Sequence, residues 1–180
     1  MDEQKKHYIE KKAEATLFES ELRGLYPVPV IAILRQNGFY VGFSGMREDT
    51  YGVILVDEKR ERLDGYEKNK VVVANKELDP CARRFVFAHE LGHFVLDYDP
   101  VANNQVYAHR DYGAKENNEI DECADYFAVC LLMPRKRFMK KLNQLNQSRL
   151  TIGKRIDALV KYFQVPGLYV VRRFAELADR

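Results

Sequence analysis

Two histidines and a glutamate near the middle of the chain have the spacing of a metal-dependent hydrolase. Two imidazoles four residues apart occur in the segment His89-Glu90-Leu91-Gly92-His93, so on a helix both project from one face, about one turn apart. Two nitrogens at that separation can bind one tetrahedral zinc ion. Glu90 can take a proton from a zinc-bound water that attacks a carbonyl and pass it to the leaving amine. The motif therefore predicts a zinc-dependent peptidase, in which Gly92 leaves space beside the metal for a neighbouring element.

The residues around this motif favour a metal site over a surface helix. The motif lies within FVFAHELGHFVL, an apolar stretch that we expect to be buried on most sides. The alternative is a helix with two surface histidines and a solvated glutamate. Because burying three such polar groups is costly unless something satisfies them, the context favours a bound metal ion.

A third ligand is expected from the next helical segment, since a catalytic zinc ion usually keeps three protein ligands and one open position. The apolar face of this segment is formed by Ala124, Phe127, Ala128 and Leu131. Asp121 lies on or beside that face, whereas Glu122 is turned about 100° from Asp121, towards the edge of the face, but reaches farther by one methylene. We predict Asp121 as the ligand and keep Glu122 as the alternative. Asp121 could also be a helix N-terminal charge, and Asp125 either orients a histidine or is a solvated edge residue.

Four segments of the chain together resemble one known family. They are RRFVFAHELGHFVLD, DECADYFAVCLLMP farther along, and VVVANKELDP and PVPVIAILRQNGFYVGF before them. In these segments the chain is similar to the ImmA/IrrE metallopeptidases of bacteria and their mobile elements. The resemblance implies that His89 and His93 bind Zn²⁺, that Glu90 is the catalytic acid/base, and that the substrate is a helix-turn-helix repressor.

One position departs from the family pattern and leaves a second function open. The family usually has Glu three residues before the Ala of its second motif, where this chain has Asp121. The alternative is therefore a weak or inactive relative that binds a repressor or DNA through its C-terminal helices. A small-molecule binding role for the cleft is a third, weaker hypothesis.

The elements predicted around the motifs define an α+β fold. Helices are predicted over residues 2–23 (closed by Gly24), 30–36, 80–96 and 119–133, and strands over residues 39–43, 51–56 and 70–74. Asp79 and Pro80 are expected to cap and begin the active-site helix, and residues 97–118 to be irregular. The expected architecture is a small zincin-like sheet with this helix, followed by a C-terminal helical bundle. We divide it into a metallopeptidase core, residues 1–134, and a helix-turn-helix-like subdomain, residues 135–180.

The C-terminal segment has two amphipathic helices joined by a short turn at residues 165–167, the outline of a DNA-binding helix-turn-helix. Basic residues near it are Arg135, Lys136, Arg137, Lys140, Lys141, Arg172 and Arg173. We favour a helical bundle packed on the core, with these residues as a solvated rim. DNA binding is the less favoured interpretation. A third interpretation, a docking surface for a protein substrate, lies between the helical bundle and the DNA-binding module.

Other polar residues have weaker assignments. Tyr107, His109 and Tyr112 lie between the two motif helices, where they either donate to an oxyanion or simply pack a loop. Cys123 and Cys130 are expected to be buried small hydrophobic residues on one helix.

The composition of the chain limits which partners and cellular locations are expected. The net charge of +2 is too small to argue for nucleic acid or a membrane surface. Three cysteines without CxxC spacing fit a reducing compartment. The N-terminal segment lacks the apolar region of a signal peptide, and no apolar run approaches the length of a membrane span. We therefore expect a soluble cytoplasmic protein with no membrane partner.

Overall fold

A computed structural model describes residues 1–57, 63, 67–98, 105–110 and 119–178, with only the backbone of residues 105–110 and 178. In this part of the chain there are seven helices and four strands, an α+β fold as predicted. Their bounds are α1 Glu3–Glu19, α2 Val30–Gln36, β1 Tyr40–Ser44, β2 Thr50–Val56, β3 Lys70–Asn75, α3 Pro80–Asp97, β4 Gln105–Arg110, α4 Glu119–Leu132, α5 Arg135–Asn146, α6 Ile152–Phe163 and α7 Gly167–Ala178. None of the helices in the described residues is long and apolar enough to cross a membrane.

The sheet has the strand order β1-β3-β2-β4. Strands β1 and β3 are parallel, whereas β2 is antiparallel to both β3 and β4. The strands predicted at residues 39–43, 51–56 and 70–74 are confirmed within one residue at each end. Val72 and Ala74 of β3 and Ile54 of β2 are fully buried, because the alternation of a strand turns them towards the helices.

Strand β4 corrects the prediction that residues 97–118 are irregular. Its residues, Gln105-Val-Tyr-Ala-His-Arg, are too polar to give the apolar signal of a core strand. The strand lies at the edge of the described sheet, where one side pairs with no strand among the described residues and polar residues are tolerated. Its pairing with β2 could not be predicted from its own composition, because the partner strand supplies the hydrogen bonds that make it a strand.

Helix α1 ends earlier than predicted. The helix stops at Glu19, and Glu21 adopts a left-handed conformation with φ 57°, which breaks the helix before Gly24 is reached. The hydroxyl of Ser20 donates to the carbonyl of Leu17 at 2.9 Å and accepts the backbone N–H of Leu22 at 3.3 Å. The Ser20 hydroxyl thus bonds to backbone groups at the end of the helix, where the sequence predicted a closing glycine, Gly24.

Helix α3 begins as predicted. The Asp79 carboxylate accepts the backbone N–H groups of Cys81 and Ala82 at 2.9 and 3.1 Å, and Pro80 occupies the first turn. From Phe85 to His93 every residue of the helix is buried. A helix that is buried on all sides needs neighbours all round, and α3 packs against the sheet, α2 and α4.

The C-terminal segment is helical as predicted; its break at residues 164–166 lies within one residue of the predicted one at 165–167, and a second break at residues 147–151 was not predicted. Helix α7 packs on α3, where the rings of Tyr169 and Phe85 are stacked with centroids 3.6 Å apart. The domain boundary at residue 134 remains a prediction.

Arg173 departs from the predicted solvated basic rim, because it is fully buried. Its guanidinium donates to Glu10 of α1 and to Glu176, each at 2.8 Å, and to the carbonyl of Met133 at 3.2 Å. Arg135 adds a second positive charge 3.3 Å from the Glu10 carboxylate. A buried arginine is stable only when its charge and donors are matched, and here two acids and a carbonyl match them.

We predict that Glu10→Gln lowers the free energy of unfolding by about 3 kcal/mol, because it leaves Arg173 buried with one of its two acids removed. Burial opposes ionisation of Glu10, but the hydrogen bond and charge of Arg173, followed by those of Arg135, lower the pKa of the carboxyl below its ordinary value of 4.5. The stabilisation is therefore present above pH 4.5 and is lost as the pH falls through the lowered pKa.

Urea unfolding at several pH values measures this difference, which should shrink in acid. Glu14→Gln is the matched control, since Glu14 pairs with Lys11 of the same helix at the surface, and it should leave the stability almost unchanged. Equal effects of the two substitutions would contradict the prediction.

Candidate metal centre

Helix α3 turns the three residues of the predicted motif into the interior. His89 is 1% exposed, Glu90 is fully buried and His93 is 3% exposed. The two histidines lie one turn apart on the same face, and their rings are inclined at 78° with centroids 4.7 Å apart. The two Nε2 atoms are 2.9 Å apart, so both rings direct the same nitrogen at one point.

Helix α4 brings Asp121 to that point. Its Oδ1 atom lies 3.3 Å from Nε2 of His93 and 4.0 Å from Nε2 of His89. Glu122 lies elsewhere: its side chain is 61% exposed, and its carboxylate is 3.9 Å from the N-terminal amine. The structure thus brings Asp121, and not Glu122, together with the two histidines.

The other nitrogen of each histidine faces a carboxylate, and this decides the direction of the hydrogen bonds. Nδ1 of His89 is 2.8 Å from Oδ1 of Asp125, and Nδ1 of His93 is 3.3 Å from Oδ2 of Asp97. Because a carboxylate can only accept, each Nδ1 atom carries the hydrogen. In the neutral rings both Nε2 atoms then present lone pairs to each other, an arrangement that a bound cation would satisfy.

The group of His89, His93 and Asp121 fits a zinc ion. One ligand atom from each lies within 4.8 Å of the other two. Bonds of about 2.0–2.2 Å in a tetrahedral zinc site put ligand atoms about 3.3 Å from one another, close to the separations found here. Two imidazoles and one carboxylate are also a ligand set that leaves one position for water. Carboxylates on the outer nitrogens of the histidines complete the pattern expected around a zinc ion.

Glu90 lies beside this group with its carboxylate unsatisfied. Among the described residues neither carboxylate oxygen has a hydrogen-bond partner, although both are buried. Burial raises the pKa of Glu90 well above its ordinary value, and the negative charge of Asp121 raises it further. A buried acid with a raised pKa binds a proton more readily than a solvated one, which suits a general acid/base.

Two glycines make room for the site. A Cβ atom on Gly52 of β2 would lie 2.4 Å from Val86 and 2.8 Å from the Glu90 carboxylate, so only a glycine lets the strand pass over Glu90. A Cβ atom on Gly92 would lie 3.1 Å from the backbone of Ala124 in α4. The neighbouring element for which Gly92 was predicted to leave space is therefore α4.

Sequence reasoning missed three residues of this centre. Asp97 was detectable, since it follows His93 by one helical turn on the same face. Gly52 gave no signal, because its role exists only once β2 lies against α3. Tyr169 of α7, whose hydroxyl donates to Asp125 at 3.3 Å, also gave none. For Asp125 itself, the first alternative is correct, because it orients His89.

The remaining candidates lie apart from the group or outside the described side chains. Tyr107 and His109 lie in β4, of which only the backbone is described, and Tyr112 lies outside the described residues. Cys123 and Cys130 are buried as predicted, and burial raises the pKa of both thiols, that of Cys130 to about 12. Neither is therefore suited to act as a thiolate nucleophile.

Comparison with known families agrees with this geometry. The family model of the IrrE N-terminal-like domain, peptidase M78, matches residues 50–174, a span that contains every residue of the metal centre. The chain belongs to the peptidase M78 family. Members of the M78 family are zinc-dependent, and membership places this chain in a metallopeptidase-like class.

Among solved structures, a Mycobacterium tuberculosis transcriptional regulator shares the fold, with a TM-score of 0.58 and 21% sequence identity. The match covers 93% of this M78 chain and 46% of the regulator, so the chain spans less than half of that structure's length. At this identity the similarity shows the fold alone. None of the curated protein sequences that were compared matches the chain significantly.

We predict that Gly92→Ala lowers the free energy of unfolding by about 1–3 kcal/mol, because the added methyl group meets the backbone of α4 and the two helices must separate. Urea unfolding measures the change. Gly153→Ala is the control: no described atom lies within 4 Å of its added Cβ, and alanine in α6 should stabilise by up to about 1 kcal/mol. A Gly92→Ala protein as stable as the wild type would show that α3 and α4 are not in close contact there.

Proposed function

We propose that this chain is a zinc-dependent endopeptidase in which His89, His93 and Asp121 bind the metal and Glu90 is the acid/base. The observation that carries the proposal is the convergence of two histidine nitrogens 2.9 Å apart with the Asp121 carboxylate, next to a buried Glu90. Family membership supports it, since the matched span contains all four residues.

The residues of the chain have separate tasks in this mechanism. Zinc, when bound, lowers the pKa of a water molecule and polarises the carbonyl of the scissile bond. Glu90 accepts the proton of the attacking water and then delivers it to the leaving amine. Its burial serves this task, because removal from bulk solvent raises the pKa of the carboxyl well above its ordinary value, so that the group binds a proton more readily. Asp125 and Asp97 hold the histidines with their Nε2 atoms towards the metal.

For the substrate we propose a helix-turn-helix repressor, on the strength of the kinship with ImmA/IrrE proteins. The mycobacterial structure that shares the fold is itself named a transcriptional regulator. The repressor is assigned to this chain by analogy with the ImmA/IrrE proteins.

The alternative function is a catalytically weak relative that binds a repressor or DNA through its C-terminal helices. Asp121, one methylene shorter than the usual Glu, motivates it. The solvent face of α7 carries the exposed apolar residues Leu168 and Val171 beside Arg172, and Arg173 is buried in ion pairs. A helix face with two apolar residues and one accessible arginine suits a protein partner better than a phosphate backbone.

Elemental analysis of the purified protein tests the ligand set. We expect close to one zinc per chain in the wild type, most of it lost in Asp121→Ala and retained in Glu122→Ala, because only Asp121 faces the histidines. The neighbouring position makes the second variant a matched control. Zinc lost only with Glu122→Ala would assign the ligand to that residue, and a wild type without zinc would favour the non-catalytic alternative.

Incubation with the helix-turn-helix repressors of its own genome, followed by intact mass spectrometry, tests the activity. We expect cleavage of one repressor, reduced by about 10²–10⁴-fold in Glu90→Gln, because an amide cannot accept the proton of the attacking water. The variant should keep its zinc and its stability. Cleavage by Glu90→Gln at the wild-type rate would remove Glu90 from the mechanism, and tight binding of an uncut repressor would favour the alternative.

A further inference from the structure

Helix α7 contacts the metal centre through a tyrosine. The hydroxyl of Tyr169 donates to Oδ2 of Asp125 at 3.3 Å, while Oδ1 of the same carboxylate accepts Nδ1–H of His89 at 2.8 Å. Tyr169 is 3% exposed and Asp125 has an exposed side-chain fraction of 26%. The two oxygens of one carboxylate therefore join the C-terminal helix to a predicted metal ligand.

We propose that Tyr169 is a positioning residue for the metal centre, which acts on His89 through Asp125. The inference rests on the proposed function, since it concerns the same zinc site. It gives α7 a part in the site, in addition to its packing on the core.

The position of the Tyr169 hydroxyl is fixed by contacts of the ring. The ring of Tyr169 stacks on Phe85 with centroids 3.6 Å apart and an angle of 14° between the planes. Phe85 precedes His89 by one turn on α3, so the ring of Tyr169 rests on the same helix that carries the ligand. The contacts run from Phe85 to Tyr169, then to Asp125 and back to His89, and this closed path restricts the rotation of each side chain.

Helix α7 is itself held in place one turn farther on. Arg173, four residues after Tyr169, is buried and paired with Glu10 and Glu176 at 2.8 Å each. Glu176 belongs to α7 itself, so it is the pair with Glu10 of α1, together with the hydrogen bond to the carbonyl of Met133, that keeps the helix from sliding or turning without separating buried charges. The hydroxyl of Tyr169 is thus presented by a rigid element, which is what a residue that orients another must have.

The expected consequence of losing the hydroxyl is weaker metal binding. Without it Asp125 keeps its bond to His89 but loses one of the groups that hold its carboxylate, so the imidazole is less well oriented. Changes to the partners of metal ligands typically cost 10–100-fold in metal affinity. Because Tyr169 acts one step farther from the metal, we expect about 10-fold weaker zinc binding in Tyr169→Phe.

Tyr126→Phe provides the matched control. Tyr126 of α4 also donates its hydroxyl to an acid of α7, Glu176, at 2.7 Å, but this bond does not lead to His89. Both variants remove one hydroxyl from the contact between α4 and α7 and keep the ring. A purely structural role of these hydroxyls would affect the two proteins alike.

Zinc affinity is measured on the full chain by competition with a chromophoric chelator, and the stability of the metal-free proteins by urea unfolding. Long-range ¹H–¹⁵N NMR of the imidazoles reports how firmly His89 keeps its Nδ1 hydrogen in the metal-free state. We expect Tyr169→Phe to bind zinc about 10-fold more weakly and to show faster exchange of that hydrogen. Tyr126→Phe should match the wild type in both readouts, whatever its stability.

Two results would overturn the inference and leave the proposed function standing. In the first, Tyr169→Phe binds zinc as tightly as the wild type. In the second, both variants lose zinc affinity equally, and the loss follows the decrease in their free energy of unfolding. A wild-type protein that binds no zinc, with a His89 signal that Tyr169→Phe leaves unchanged, would overturn both the inference and the proposed function.

Discussion

Helices α3 and α4 approach so closely at Gly92 that the backbone of Ala124 takes the place a side chain would fill. The metal centre depends on this approach. The histidines lie on one helix and the carboxylates of Asp121 and Asp125 on the other, and these short side chains cannot cross a wide gap between helices. A longer acid could reach the same point from farther away. The choice of Asp at position 121 is therefore matched to a close pair of helices.

Burial is used in two different ways in this molecule. Around Arg173 every charge is compensated by an opposite charge or a carbonyl, so burial there adds rigidity. At Glu90 burial is left uncompensated among the described residues, and the carboxyl is held in an environment that favours its protonated form. The first arrangement stabilises the fold. The second lowers stability but gives Glu90 the raised pKa that suits a general acid/base.

The sequence was informative wherever a signal is local. Helical periodicity was enough to put His89 and His93 on one face and to prefer Asp121 to Glu122, and capping residues located the start of α3. Strand β4 was missed because an edge strand owes its conformation to its neighbour. Gly52 and Tyr169 were missed because each acts on a residue far away in the sequence, and a single sequence holds no record of such contacts. Arg173 was wrongly assigned to the solvated basic rim for the same reason, since the partner that buries it lies in α1.

The ion pair between Arg173 and Glu10 joins residues 163 positions apart, and this has a consequence for the order in which the molecule forms. Arg173, whose guanidinium pairs with Glu10 at 2.8 Å, lies in α7 and is therefore synthesised long after α1. Contacts of such long range close late in folding, because the loop entropy between them must be lost first. During synthesis, therefore, the histidine pair and its acids exist before the helix that braces them. We expect a nascent chain to bind metal loosely, and to gain a well-ordered centre only when α1 and α7 meet.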